Sequence, residues 1–295
     1  MSRVSLKSNN TAVIIGTSPA YKTENESGYL FSSVQSASFG FSSNFERSKQ
    51  IGYQELASNE RLYHPTVDLG LSYVFSSSMS NEDVLGFNFG IFNRAQKSFL
   101  YELDEKSYNF YFYNHPEDGQ DAIEYLKEGV NSPNGGEVIS FGNAFLKNYS
   151  LNYSIGESPI VDVSFDCSNL QSELYTSTPL LSPAINLDEG DNQFVGGFNI
   201  EDTIIVEEDK YLFLDVDRSD LIPQRPSDFE FSITDLSIGG QSLSFQKHIL
   251  NSFNLDISLS RSESYKLGSN FICDRALQFP RCQYLLWFKN MTLAS

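Results

Sequence analysis

At 295 residues the chain has room for one large or two ordinary domains with a sizeable core. A formal net charge of -18, from 38 Asp and Glu against 20 Lys and Arg, excludes a nucleic-acid-binding surface of the ordinary kind, because such a surface needs clustered cations to release phosphate counterions. It does not exclude a protein that lets DNA pass.

Three cysteines, Cys167, Cys273 and Cys282, have no CxxC spacing, which argues against a disulfide framework and for a reducing compartment. The opening "MSRVSLKSNN" lacks the apolar core of a signal peptide, and no run of about 18 apolar residues follows. Neither secretion nor a membrane helix is expected. With 24 Phe and 16 Tyr beside abundant Ser, Thr, Val and Ile, the composition favours strands. The expected fold class is mainly β, with tandem antiparallel β-barrel or β-sandwich units and a short flanking helix.

Residues 11–45 read as strands. In "VQSASFGFSSNF", residues 34–45, a period of two puts Ala37, Phe39, Phe41 and Phe45 on one face and Ser36, Ser38, Gly40, Ser42 and Asn44 on the other. The first face asks for a core, so Asp in place of Phe39 or Phe41 is expected to abolish folding. Residues 66–92 also read as strands. Their opening, "TVDLGLSYVF", sets Val67, Leu69, Leu71, Tyr73 and Phe75 against Asp68, Gly70 and Ser72, and the two segments are expected to pair as a long hairpin. Between them "ERSKQIGYQELASNERLYHP", residues 46–65, carries both signs of charge and is too long for a tight turn.

Tyr108 to Tyr113 is an aromatic strand, and "DGQDAIEYLKEG" follows as a short helix with Ala122, Ile123 and Leu126 on one side and Gly129 past its end. After the turn residues "SPNGG" the alternation returns: Tyr149, Leu151, Tyr153 and Ile155 oppose Asn148, Ser150, Asn152 and Ser154, and Val161, Val163 and Phe165 oppose Asp162, Ser164 and Asp166. Residues 170–200 lose the alternation and read as a linker between a first unit, 1–169, and a second, 201–295. Strands resume at 203–206, 211–216 and 229–238.

The opening pattern then comes back. "LNSFNLDISLSRSESYKLGS", residues 250–269, overlays residues 34–53 without a gap: Ser36 falls on Ser252, Phe39 on Leu255, Phe41 on Ile257, Ser42 on Ser258 and Gly52 on Gly268. Internal repetition of this kind outranks a single motif. Across these strands the face away from the core is built of Ser, Asn, Gly and Asp, with no Lys or Arg at its central positions. It reads either as a solvated sheet face or as the lining of a passage for a polyanion, in which short hydroxyls and carboxylates offer phosphates no salt bridge. On the second reading Ser38, Ser42, Asp68, Ser72, Asn152, Asp162, Asp166, Asp256 and Ser258 line the lumen. Open hairpin edges call for closure, and a symmetric ring supplies it. The loop at 46–65 is suited to reach a neighbouring ring through Arg47, Lys49, Gln50, Glu55, Glu60 and Arg61.

"VQSASFGFSSNFERSKQIGYQE" with "PTVDLGLSYVF", "FGNAFLKNYSLNYSIGESPIVDVSFDCSN" and "LNSFNLDISLSRSESYKLGSNFICDRALQFP" resemble the two-unit major tail tube proteins of tailed bacteriophages. The resemblance implies a virion structural protein made in the host cytoplasm, forming rings that stack into a tube for DNA ejection. It implies trimeric rings with quasi-sixfold symmetry, or hexameric ones, other tail proteins as partners, no specific DNA binding and no membrane. Residues 281–295 depart from the family pattern, so the second unit is expected to be incomplete.

No catalytic, metal or cofactor site is expected. His64, His115 and His248 are isolated, and "DVDRSD" at 215–220 lacks the glycine and terminal Glu of a calcium loop. The pairs Asp162/Asp166 and Glu207/Glu208 could suggest acid–base catalysis, but that chemistry needs carboxylates placed across a cleft, which sequence spacing does not show. The rival reading is a surface β-sandwich that binds carbohydrate or protein through exposed Tyr and Phe. A membrane porin shares the alternation but not the leader or the uninterrupted lipid face.

Overall fold

The computed structural model describes residues 10–16, 28–42, 45–49, 56–61, 66–75, 80–86, 107–115, 122, 136–154, 157–175, 180–185, 197–198, 233–238, 241–245, 250–265, 272–277 and 281–288. In chain order its strands begin with β1 (Thr11–Gly16), β2 (Gly28–Phe31), β3 (Val34–Ser42), β4 (Phe45–Lys49), β5 (Leu56–Arg61) and β6 (Thr66–Val74). Helix α1 (Ser80–Val84) precedes β7 (Tyr108–Asn114), β8 (Glu137–Ser154), β9 (Ile160–Cys167), β10 (Asn169–Leu174), β11 (Leu180–Leu181) and β12 (Gly197–Phe198). The last are β13 (Ile233–Ile238), β14 (Gln241–Phe245), β15 (Leu250–Ser258), β16 (Arg261–Tyr265), β17 (Ile272–Leu277) and β18 (Arg281–Phe288). The protein is mainly β and antiparallel, as its composition requires.

Ten strands form one sheet system that divides at β8. One run is β2-β1-β7-β8-β10 and the other is β3-β6-β9-β8-β15-β18. The 18-residue β8 serves both, its first half pairing with β7 and β10 and its second with β9 and β15. It turns the corner at a bulge, where Gly142 and Asn143 stand against the single residue Asn109 of β7. Asn143 takes a left-handed φ of 47°, which its short polar side chain tolerates.

The two runs enclose a common core. Phe110 of β7 meets Phe165 of β9 with ring centroids 4.7 Å apart, and Phe31 of β2 meets Tyr73 of β6 edge-on at 5.1 Å. Val67, Leu69, Leu71, Val161, Val163, Tyr149 and Leu151 complete it from the second run, on the face that the alternation assigns to the core. Each such side chain contributes about 1.5–3 kcal/mol of burial. In the first run β1 is buried on both faces, with Val13 and Ile15 in this core and Ala12 and Ile14 in a smaller cluster with Tyr111, Tyr113, Tyr175 and Leu180. Ala122 is helical and buried in that second cluster, where the expected flanking helix begins to show; its other residues lie outside those described.

Several expectations change. Residues 66–92 are not all strand: β6 ends at Val74, and α1 occupies Ser80–Val84, held beneath the sheet by Asn81, whose amide bonds both the carbonyl and the N–H of Ser32. Phe39 and Phe41 are not buried. They share the core face with their register partners Leu69 and Val67, but β3 ends its run, so the two rings overhang and are 53% and 55% exposed. At Phe41 an Asp meets water, and the expected loss of folding does not follow there; Phe39, though half exposed, still sets its ring 5.6 Å from that of the buried Phe141.

Residues 170–200 do not begin as free linker. Leu170 to Leu174 pair with β8 as part of β10, and residues 180–185 strap across the β8 corner. The Ile185 N–H donates to Asn143 Oδ1 at 2.6 Å, Asn143 Nδ2 returns to the Ile185 carbonyl at 3.2 Å, and Asn169 Nδ2 donates to the Pro183 carbonyl at 3.0 Å. Gly142 sits so close under Pro183 that a Cβ would strike its carbonyl group. Gly142→Ala is therefore expected to lift the strap and destabilise the fold by about 1–3 kcal/mol, read as a lower denaturation midpoint at unchanged slope.

The strands expected at 203–206 and 211–216 lie outside the described residues, as do residues 229–232 of the third; the rest of that segment is β13.

Candidate functional site

The sequence repeat is a structural repeat. β3 and β15 are both nine residues long and begin at the overlaid positions Val34 and Leu250. β4 and β16 are both five residues and β5 and β17 both six. The irregularities coincide as well: β3 breaks register with β6 between Val34 and Ser36, and β15 breaks with β18 between Leu250 and Ser252. β4 slips against β5 after Ser48, and β16 slips against β17 after Ser264. Arg281–Phe288, expected to depart from the pattern, is the strand that takes the place of β6 in the repeat.

The register gathers the candidate lining residues into rows. One row runs Ser36, Ser72, Asp162, Ser150, Asp256 and Gln283; the next runs Ser38, Gly70, Ser164, Asn148, Ser258 and Arg281. Asp68 pairs with Asp166, Ser42 with Thr66, and Asn152 with Asn254. All nine residues expected to line the lumen thus lie on one face of the second run. Ser38, Ser42, Asp68, Asn152, Asp162 and Ser258 are exposed there; Ser72, Asp166 and Asp256 are half-buried.

Hydrogen bonds on this face run sideways. Ser42 and Thr66 hydroxyls are 3.1 Å apart, Asn148 Nδ2 donates to Ser164 Oγ at 3.0 Å, and Ser150 Oγ to Asp256 Oδ1 at 2.5 Å, while Asn152 Nδ2 donates along β8 to Ser150 Oγ at 3.3 Å. Donors engaged laterally are less available to a passing ligand.

The face does carry a cation that strict alternation misses. The β8–β9 register shifts between Leu146 and Asn148, and the extra residue, Lys147, joins Asn148 in solvent. Its Nζ lies 3.0 Å from Asp166 and 3.7 Å from Asp68. The hydrogen bond to Asp166, and then the charges of Asp166 and Asp68, hold the ammonium above the ordinary lysine range against partial burial. In "FLKNYS" two polar residues in a row between apolar ones were the available sign of the bulge. Beside it the Arg261 guanidinium lies 5.0 Å over the Phe145 ring of β8.

The segment at 46–65 is a β-hairpin. Arg47 and Lys49 lie on β4, Glu60 and Arg61 on β5, with Phe45 opposite Arg61 and Arg47 opposite Asn59; Gln50 and Glu55 lie outside the described residues. A second hairpin of the same build, β16–β17, was not singled out in the sequence although the overlay reaches it. Among the described residues each hairpin forms its own two-stranded sheet.

No family model matches the chain, and no curated protein matches it. Among solved structures the chain is similar to a chain of the anti-feeding prophage baseplate, a cryo-EM structure with 6-fold symmetry imposed. The two share 11% identity over 59% of this chain and 97% of the other, with a TM-score of 0.31. At that level the functional reading rests on the sheet itself.

Among the described residues no group of three or more His, Cys, Asp or Glu is placed to hold a metal ion, and no helix is long and apolar enough to cross a membrane. His115 is buried beside Tyr113, while His64 and His248 lie outside the described residues, as do residues 188–192, 207–208 and 215–220.

Proposed function

We propose that the chain is a structural subunit of a tube of the phage tail type, which assembles through its sheet edges into stacked rings and lets DNA pass without binding it. The observation that carries this reading is the second run of the sheet: one face is core, and the other is mostly short hydroxyls, amides, glycines and carboxylates, with hydrogen bonds that link neighbouring strands. A polyanion sliding over such a face meets carboxylates that repel it, a lysine already engaged by two aspartates, and an arginine, Arg281, at the β18 end of one row. On this reading the β4–β5 hairpin carries the contacts between rings, and the chain acts in the virion tail beside other tail proteins, without catalysis or cofactor.

The exposed Phe39 and Phe41 also suit a monomeric binding module, the second reading. Negative-stain electron microscopy of the purified chain across concentration and salt separates the two. Stacked rings or hollow tubes are expected; dispersed monomers that a carbohydrate or protein ligand stabilises would give the site to the binding module.

A further inference from the structure

We infer that β3 of one copy pairs antiparallel with β18 of the next, so that these two strands are the two halves of a single contact between copies. The inference rests on the tube reading and names its joint. β3 ends its run with no Lys or Pro to discourage a partner, and Phe39 and Phe41 overhang it. The repeat shows what covering such an edge does. β15 has the same length, bulge and hairpin partner, but its corresponding edge is taken by β8, from Ser258 opposite Asn148 to Ser252 opposite Ser154. There Ile257, the counterpart of Phe41, is 1% exposed, and Leu255, the counterpart of Phe39, packs against the core. The same kind of strand is buried where an edge is covered and bare where it is not.

The occupant follows from direction. Every neighbouring pair in β3-β6-β9-β8-β15-β18 is antiparallel, so an even number of strands leaves β3 and β18 running in opposite senses. A second copy laid beside the first, with its small-residue face on the same side, offers an antiparallel β18 to β3. Among the described residues β18 is the other end of this run, and "RCQYLLWF" carries one charge, Arg281 at its first position, and no Pro. The contact joins unlike surfaces, so it repeats from copy to copy, and on the tube reading its rotation closes into a ring. Keeping both small-residue faces together allows only two-residue steps of register. With no stagger, the row Ala37, Leu71, Val163, Tyr149, Ile257, Cys282 continues into the next copy and sets Cys282 opposite its Ala37.

The native Cys282 makes the test direct. In a full-length Cys273→Ser background, Ala37→Cys and the flanking Gln35→Cys and Phe39→Cys are oxidised mildly and run without reductant, while the same samples are imaged. Disulfide-linked multimers from one of the three are expected, lost when Cys282→Ser is added, because a disulfide forms only where Cα atoms approach within about 7 Å. Rings without any Cys282-dependent link would overturn the β3–β18 joint and leave the tube reading standing. Links that persist in Cys282→Ser would overturn the β3–β18 joint, since the introduced cysteine would then meet its own counterpart or Cys167, and monomers at every concentration would remove both the joint and the tube.

Discussion

Phe41→Asp is expected to leave a soluble, folded chain that no longer assembles. Phe41 is 55% exposed in the single chain, and its register partner Val67 is 2% exposed, so the core is built without it. A surface substitution of this kind shifts folding stability by roughly 0.5 kcal/mol. At the proposed joint the same ring is buried. Losing it forfeits about 1.5–3 kcal/mol per contact, and confining a carboxylate there adds an unpaired charge that costs several kcal/mol more. With each 1.4 kcal/mol worth about tenfold, association should weaken by roughly a hundredfold or more. Thermal unfolding beside sedimentation velocity checks both halves. An unfolded variant would restore Phe41 to the core; a folded variant that still forms rings would remove β3 from the interface.

That correction shows where the sequence was legible and where it was not. The alternation in "TVDLGLSYVF" and "SPIVDVSF" placed Val67, Leu69, Leu71, Val161, Val163 and Phe165 in the core because both neighbours of β6 and β9 are present to close over them. The same alternation in "VQSASFGFS" assigned the right face to Phe39 and Phe41 but not their exposure, since periodicity says nothing about which strand is last. The repeat was readable at residues 250–269 from Ser, Gly and apolar positions, yet not at 281–288, where "RCQYLLWF" keeps the strand and changes the residue types. Lys147 and Asn143 escaped for a different reason. Each acts through a bulge that shifts the period, and a bulge is set by the partner strand as much as by its own sequence. Helix α1 is a single short turn of five residues, too brief for a helical period to register. What makes it structural is tertiary: the Asn81 bonds to Ser32 and the burial of Glu82 between two strands.

Glu82→Ala should be among the most destabilising single changes in the first unit. Glu82 is fully buried on α1, and its Oε1 accepts from the hydroxyls of Tyr73 at 2.8 Å and Tyr149 at 3.4 Å, one from β6 and one from β8. These are strands of the proposed lumen sheet, two places apart, so the carboxylate ties the underside of that sheet to the helix below it. Removing it takes away the shared acceptor of two buried hydroxyls and opens a void. Breaking a buried charged network of this kind costs about 3–5 kcal/mol, whereas Glu82→Gln keeps an acceptor and should recover part of the loss. Burial first, and the Glu82 charge second, hold both tyrosines protonated well above their ordinary range. Because the folded values are raised, their contribution to stability is whole below the ordinary tyrosine pKa of about 10 and is lost as pH climbs beyond it. Wild-type protein should therefore unfold with tyrosinate appearing in the same transition. Glu82→Ala should soften that alkaline dependence without abolishing it, because burial remains the larger cause. Denaturation midpoints measured from neutral to alkaline pH carry both expectations. A neutral-pH midpoint unchanged in Glu82→Ala would mean that packing alone holds α1 to the sheet.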